Sequence, residues 1–232
     1  MIMTGILGGM GTRAGLDFCN KLAVINRGKT DQKYPMFMLY NKSKIPSRIK
    51  NLNKYHNVLK SLIDGCKLLQ KNKCKFIVMP CNTAHYWHKD LQKKINIPIL
   101  SMPKEVYLHT KKYCKKDSKI GILCTEATIK AKIYNKYFDK KFNLVKPNNY
   151  IQKKNVNRAI EFVKKGKVKE AEKSLRPAVN YLLKMKCKKI ILGCTELPIA
   201  IFAYKSFRKV KESKIFIDPN LLLAEISMKK YK

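Results

Sequence analysis

Two cysteines follow the same arrangement of residues in different halves of the chain. The segments KCKFIVMPCNT (73–83) and KCKKIILGCTE (186–196) each begin with Lys-Cys-Lys, pass through an apolar run and reach a second cysteine seven residues after the first. These second cysteines, Cys81 and Cys194, each have a threonine within two positions. A thiolate accepts a proton and a thiol donates one, so two such groups on opposite faces of one carbon atom would perform general acid–base chemistry. The pair therefore predicts two-base racemisation of a small anion.

The repeat extends beyond the two cysteine segments. TGILGGMGT (4–12) is echoed by IGILCTEAT (120–128), and the distance from the first glycine of each copy to its second cysteine is 76 residues in one case and 73 in the other. Two matched pairs at nearly equal spacing predict two similar domains related by a pseudo-twofold axis.

Short apolar strands alternate with helical segments along the whole chain, which is typical of a parallel sheet in an α/β fold. Strands are predicted within 4–8, 37–40, 76–80, 97–100, 119–124, 143–147, 189–193 and 216–219. Helices are predicted at 14–26, 56–72, 83–95, 129–138, 155–167 and 168–186, and a final helix is predicted after residue 219. The helix at 168–186 contains Pro177 and is expected to be either continuous or kinked there. We therefore expect an α/β protein with two similar domains, each a parallel four-stranded sheet flanked by helices, and an active site in the interdomain cleft. The expected boundaries are 1–100, completed by 207–232, for the first domain and 101–206 for the second.

The polar residues of the repeat lie where its strands end, which is where α/β domains bind ligands. Cys81 and Cys194 come just before or at predicted helix N-termini, a position that lowers the pKa of a thiol from its usual value of about 8.5. Neighbouring backbone N–H groups and the side chains of Asn82, Thr83 and Thr195 suit a carboxylate. A small carboxylate between the two thiols is the ligand that this arrangement predicts.

The net charge of +36 suggests a polyanion partner, but the composition argues against nucleic acid. Lysine supplies 45 of the 51 basic residues and is spread along nearly the whole chain, whereas nucleic-acid interfaces use arginine for bidentate contacts. The positive field still attracts small dicarboxylates. No run of 18 apolar residues and no export signal are present, so we expect no membrane span, a cytoplasmic location and eight cysteines that are mostly free thiols.

GILGGMG near the N-terminus, PCNTAH (80–85) and LGCTELP (192–198) resemble the aspartate/glutamate racemase superfamily, specifically its aspartate racemase branch. The resemblance covers nearly the whole chain in the same order. It implies a cofactor-independent racemase that needs no pyridoxal phosphate or metal, with Cys81 and Cys194 as the catalytic pair, and a homodimer, which is usual in that family.

The resemblance also implies roles for further residues. Arg48 matches an arginine near the substrate carboxylate, and Lys164 matches a lysine near the site, with Lys165 as the alternative equivalent. Substrate-contacting segments contain Met10, Asn82, Thr83, Thr125 and Thr195, and His85 and Glu196 lie behind them. The family commonly has Thr-x-Gly-Thr where this chain has Thr125 to Thr128 with Ala127, and alanine adopts a positive φ less easily than glycine.

Three features separate this chain from other branches of the superfamily. Glutamate racemases of cell-wall synthesis begin with an Asp-Ser turn and carry a histidine where this chain has Glu196, and decarboxylases keep only one of the two cysteines. Two cationic side chains, Arg48 and Lys164, suit a substrate with two carboxylates, so aspartate is expected first. Glutamate and a broader range of amino acids remain open.

Three alternatives remain beside the racemase. Cys81, His85 and His88 have a spacing compatible with zinc, although no fourth ligand is nearby. The glycine-rich segment at the N-terminus suggests phosphate binding but lacks the complete motif. The third alternative is a basic protein that binds nucleic acid or another polyanion on a racemase scaffold.

Overall fold

Two parallel β-sheets organise the chain in this computed structural model, which describes residues 2–25, 30–52, 54–203 and 214–231. The chain divides into two compact units, Met1–Met102 with Asn220–Lys232 and Pro103–Pro219. The expected boundary at 206/207 lies outside the described residues, as does Asn26 at the end of the first predicted helix.

The first unit is built on a three-stranded parallel sheet of order β2-β1-β3. Its strands are β1 (Met3–Gly8), β2 (Met36–Asn41) and β3 (Phe76–Val78). Its α-helices are α1 (Thr12–Ile25), α2 (Tyr55–Lys71), α3 (His88–Gln92) and the C-terminal helix Pro219–Lys229, with 3₁₀ helices at Asp31–Lys33 and Thr83–Trp87. The next helix, α4 (Met102–Tyr113), begins at the last residue of this segment and otherwise belongs to the second unit. The fourth strand predicted at 97–100 is reduced to a single bridge between Ile99 and Ile77.

The second unit carries a four-stranded parallel sheet of order β5-β4-β6-β7. Its strands are β4 (Lys119–Cys124), β5 (Asn143–Val145), β6 (Lys189–Gly193) and β7 (Phe216–Ile217). Its helices are α5 (Glu126–Lys130), α6 (Asn135–Phe138), α7 (Asn149–Ile151), α8 (Arg158–Lys164), α9 (Val168–Lys184) and α10 (Leu197–Ala203), with a π-helix at Gln152–Asn157. The C-terminal helix of the first unit, Pro219–Lys229, is α11. The predicted α/β class, with two parallel sheets flanked by helices, is confirmed.

The sequence repeat has a structural counterpart inside each unit. The first strand of each copy, β1 or β4, pairs with its neighbours β2 and β3 or β5 and β6 in the same order. In both copies the lysine before the first cysteine adopts a left-handed conformation, with φ of 63° at Lys73 and 58° at Lys186. This residue lies two positions after the last residue of the preceding helix, α2 or α9, and turns the chain towards the following strand.

The first cysteine of each copy packs against the glycine of the first strand. A Cβ atom on Gly5 would lie 3.2 Å from Cys74 Sγ, and one on Gly121 would lie 3.4 Å from Cys187 Sγ. Both thiols are buried, and their role is to fill the space that each glycine leaves.

Several predicted helices are shorter or more irregular than their apolar spacing indicates. The helix predicted at 83–95 is a 3₁₀ helix followed by α3, and that at 129–138 is divided between α5 and α6. The segment 155–167 begins inside the π-helix and continues as α8, whereas α9 contains Pro177 without interruption. None of the helices in the described ranges is long and apolar enough to cross a membrane.

Candidate active site

The turn after β1 is fixed by Gly9 and Arg48. Gly9 has a φ of +86°, and a Cβ atom there would lie 2.2 Å from the carbonyl carbon of Lys42, so only glycine fits. The Arg48 guanidinium donates to the carbonyl oxygens of Met10, Ile45 and Pro46 at 2.7, 3.2 and 3.0 Å. Arg48 therefore clamps the turn that carries the buried Met10. Its Nε is buried and has no hydrogen-bond partner among the described residues.

Cys81 lies just beyond β3 and is buried, together with Asn82 and Thr83. Its amide donates to the carbonyl oxygen of Met79 at 2.7 Å, which makes a tight turn at the end of the strand. The carbonyl oxygen of Cys81 lies 3.0 Å from Nδ1 of His85, whose ring is 1% exposed.

The tautomer of His85 follows from its two neighbours. The amide of Met102 donates to Nε2 at 3.1 Å, whereas the Leu100 carbonyl oxygen lies farther from Nε2, at 3.4 Å. With Nε2 as the acceptor of the shorter contact, Nδ1 carries the proton that is donated to the Cys81 carbonyl. Both ring nitrogens are therefore engaged by backbone groups, which leaves neither for a metal. Within the described ranges no group of three or more His, Cys, Asp or Glu side chains is arranged to hold a metal ion.

In the second unit, Thr125 caps α5. Its Oγ1 accepts from the Thr128 amide at 3.2 Å, and the two hydroxyl groups are 3.1 Å apart. Ala127 lies in α5 and does not have a positive φ. The alanine that departs from the family pattern is therefore accommodated in this turn without strain.

Cys194 follows β6, and its thiol donates to Oε2 of Glu196 at 3.0 Å. The two side chains are 7% and 3% exposed, and Thr195 between them is also buried. Burial raises the pKa of the Cys194 thiol well above its ordinary value, the Glu196 carboxylate raises it further, and the Lys164 ammonium acts in the opposite direction. For Cys194, the prediction that a helix N-terminus lowers the pKa is therefore wrong.

Tyr134 and Gln152 belong to these surroundings although sequence reasoning did not select them. Burial raises the pKa of Tyr134 well above its usual range, and negative charge on Cys124, Cys194 and Asp218 adds to this effect. Nε2 of Gln152, in the π-helix, donates to the carbonyl oxygen of Cys124 at 2.9 Å. Neither residue lies in a repeated segment, so the sequence holds no signal that would have found them.

The structure thus joins Met10 to Arg48 and Cys81 to His85 in the first unit, and Cys194 to Glu196 in the second, with Lys164 acting on the thiol. All eight cysteines are free thiols.

These features define an α/β protein of two repeated parallel-sheet units, each with a buried thiol within three residues of the end of a strand, β3 or β6. The chain belongs to the Asp/Glu/Hydantoin racemase family, whose model matches residues 7–226. The predicted superfamily is confirmed.

Two solved structures and one curated relative show how similar the chain is to known racemases. It superposes on the Picrophilus torridus aspartate racemase with a TM-score of 0.83 at 29% identity, covering 98% of this chain and 94% of that one. An aspartate racemase homologue from Pyrococcus horikoshii OT3 gives a TM-score of 0.77 at 26% identity, over 99% and 98% of the two chains. The broad specificity amino-acid racemase RacX of Bacillus subtilis strain 168 is 28% identical over 202 residues, which is 84% of this chain and 86% of the relative. The two structures support the aspartate racemase branch.

Proposed function

We propose that this protein racemises an acidic amino acid without a cofactor, converting L-aspartate to D-aspartate first and accepting glutamate second. The observation that carries the proposal is the repeated unit: each copy ends in a buried cysteine, Cys81 or Cys194, in a chain of the racemase family. The similarity to an aspartate racemase at 29% identity supports aspartate as substrate.

The proposed reaction uses the two cysteines as acid and base. One thiolate removes the α-proton, and the other thiol delivers a proton to the opposite face of the resulting planar carbanion; the reverse reaction exchanges the roles. This mechanism requires Cys81 and Cys194 to reach opposite faces of the same α-carbon.

The remaining predicted residues hold the substrate in this proposal. Arg48 and Lys164 supply positive charge for its two carboxylates, and buried residues of the repeated segments complete the contacts. Those contacts come from Met10, Asn82, Thr83, Thr125 and Thr195, with His85 holding the backbone of Cys81. Arg48 uses both terminal nitrogens on backbone carbonyls, so it acts on the substrate partly by keeping the Met10 turn in place.

A second candidate is a racemase with a broad substrate range, which the similarity to RacX favours. A third is polyanion binding, which the net charge of +36 favours. The proposal also includes a cytoplasmic location, where reducing conditions keep thiols free, and a homodimer.

The test is exchange of the α-proton of L- and D-aspartate in deuterated water without pyridoxal phosphate, followed by a screen of glutamate and neutral amino acids. Cys81→Ala and Cys194→Ala should each abolish racemisation. Cys74→Ala and Cys187→Ala are the matched controls, because each removes a buried packing cysteine from the same repeat, and they should remain active once folded. Racemisation that survives in either Cys81→Ala or Cys194→Ala would overturn the two-base mechanism.

The same samples separate the other candidates. Neutral amino acids racemised as fast as aspartate would favour the broad-range enzyme. No exchange with any amino acid, together with steeply salt-dependent binding of an oligonucleotide, would favour the polyanion-binding protein.

A further inference from the structure

Glu196 is a buried carboxylate whose Oε2 accepts a hydrogen bond from the Cys194 thiol. The contact is 3.0 Å long, and the residue is 3% exposed. Oε1 is also buried and has no hydrogen-bond partner among the described residues. Within the same ranges no lysine or arginine forms a salt bridge with this carboxylate. Leaving a carboxylate buried with so little compensation is costly, and such groups are found where chemistry requires them.

The charged and titratable groups that face Cys194 come from three elements. Glu196 follows it on the same loop, Lys164 lies at the end of α8, and the Tyr134 phenol precedes α6. The Glu196 carboxylate favours the protonated thiol, whereas the Lys164 ammonium and a hydrogen bond from the backbone of Glu196 favour the thiolate. Cys194 thus has one partner suited to each of its two protonation states.

We propose that Glu196 positions Cys194 as the proton donor of the resting protein, and that Lys164 stabilises the thiolate that remains after the proton has been given. This inference rests on the proposed racemase function. In the step concerned, the Sγ–H bond of Cys194 breaks, its electron pair stays on sulfur, and the proton forms the new bond to the α-carbon of the carbanion. Glu196 remains a carboxylate throughout and acts only through the cysteine, so it is a positioning residue.

The preference for a protonated Cys194 in the resting protein has a kinetic consequence, because the reaction interconverts two enantiomers. Two enantiomers have the same free energy, so kcat/KM must be equal in the two directions. A resting protein with Cys194 protonated reacts only with the enantiomer whose α-proton is removed by the thiolate of the other cysteine, Cys81. The preference for a protonated Cys194 therefore makes KM differ between the L- and D-substrates, and kcat differ by the same factor, so that kcat/KM stays equal for the two.

The experiment measures alkylation of Cys194 by iodoacetamide as a function of pH, followed by mass spectrometry of the peptide that contains it. Glu196→Gln removes the charge at nearly constant shape, so we expect the alkylation midpoint to move to lower pH and the rate at neutral pH to rise about tenfold, which corresponds to ~1.4 kcal/mol. Lys164→Met should move the midpoint to higher pH. The matched controls are Glu172→Gln, a buried glutamate of the same unit, and Lys165→Met, the adjacent lysine, and both should leave the midpoint unchanged.

The kinetic readout uses the same variants with both enantiomers of aspartate. In Glu196→Gln the ratio of the two KM values should move towards one, which a purely structural defect would not produce. Because Lys164 is exposed, its variant tests the opposite shift even if Glu196→Gln does not fold.

Opposite midpoint shifts in the two variants, with unchanged controls, would support the proposal. An unmoved midpoint in folded Glu196→Gln, or an equal shift in Glu172→Gln, would overturn it. If the wild-type protein racemises nothing while the opposite shifts are still seen, then the proposed function fails and the effect of Glu196 on the thiol stands. If racemisation is found without the shifts, the proposed function stands and the role of Glu196 fails.

Discussion

Replacing Gly9 by alanine should destabilise the first unit strongly, because two separate costs meet at this residue. Its φ of +86° lies in the left-handed region, where a residue with a Cβ atom pays about 1–2 kcal/mol. The added Cβ would lie 2.2 Å from the carbonyl carbon of Lys42 and 2.6 Å from the amide nitrogen of Ser43. These are backbone atoms, so no side-chain rotation relieves the overlap, which adds about 1–3 kcal/mol. We expect Gly9→Ala to lower the free energy of unfolding by about 2–5 kcal/mol.

The assay is urea denaturation followed by tryptophan fluorescence. Trp87 is the single tryptophan of the chain and is fully buried in the first unit, so its emission reports on the unit that contains Gly9. Gly15→Ala is the matched control, because it lies inside α1, has no positive φ and would place its Cβ 3.6 Å from the nearest atoms, Gly8 Cα and Leu39 Cδ1. Alanine in a helix interior gains about 0.5–1 kcal/mol over glycine, so the control should be slightly more stable than the wild type.

A free energy of unfolding of Gly9→Ala within about 0.5 kcal/mol of the wild-type value, a range typical of neutral surface changes, would refute the proposed cost at Gly9. It is equally refuted if the two glycine variants lose the same stability, since the costs at Gly9 are specific to that position. Racemisation should fall in folded Gly9→Ala, because the turn it distorts carries the Met10 carbonyl that holds Arg48.

Two further predictions concern the stability of the first unit, measured by the same fluorescence assay. Tyr231→Phe removes a hydroxyl that lies 2.6 Å from the Thr4 hydroxyl and donates to the Met36 carbonyl at 2.5 Å. We expect this substitution to lower the free energy of unfolding by about 1–3 kcal/mol. An unchanged denaturation midpoint would show that these contacts are not formed in solution. Burial raises the pKa of Cys66 from 9.0 to about 12, so the unfolded chain loses this proton first and stability falls as pH rises from about 9 towards 12. When the pH is raised from 8 to 10, the free energy of unfolding of Cys66→Ala should therefore fall by about 1.4 kcal/mol less than that of the wild type. Equal decreases in the two proteins would contradict the burial of this thiol.

The repeat made much of the fold predictable from sequence, because strand positions depend on local apolar runs and on short turns. β6 was predicted with its observed bounds. The region after Cys81 was less predictable, since its apolar spacing fits an α-helix and only the tertiary contacts of His85 and Trp87 show why a 3₁₀ turn forms instead.

The environment of Cys194 shows where sequence reasoning about a site fails. A position before a helix predicts a lowered pKa, but α10 is only seven residues long and begins three residues after the cysteine. The helix dipole contributes about 0.3–1 kcal/mol within the first turn, whereas full burial of a thiol can shift its pKa by several units. Burial depends on how α8, α9 and β6 pack, and the sequence around Cys194 does not contain that information. Glu196 was visible in the sequence as the residue that replaces histidine, but whether it would face solvent or the thiol depends on the packing of this loop. Because the carboxylate faces the thiol, Cys194 has a charged hydrogen-bond partner that its place in the sequence repeat does not predict.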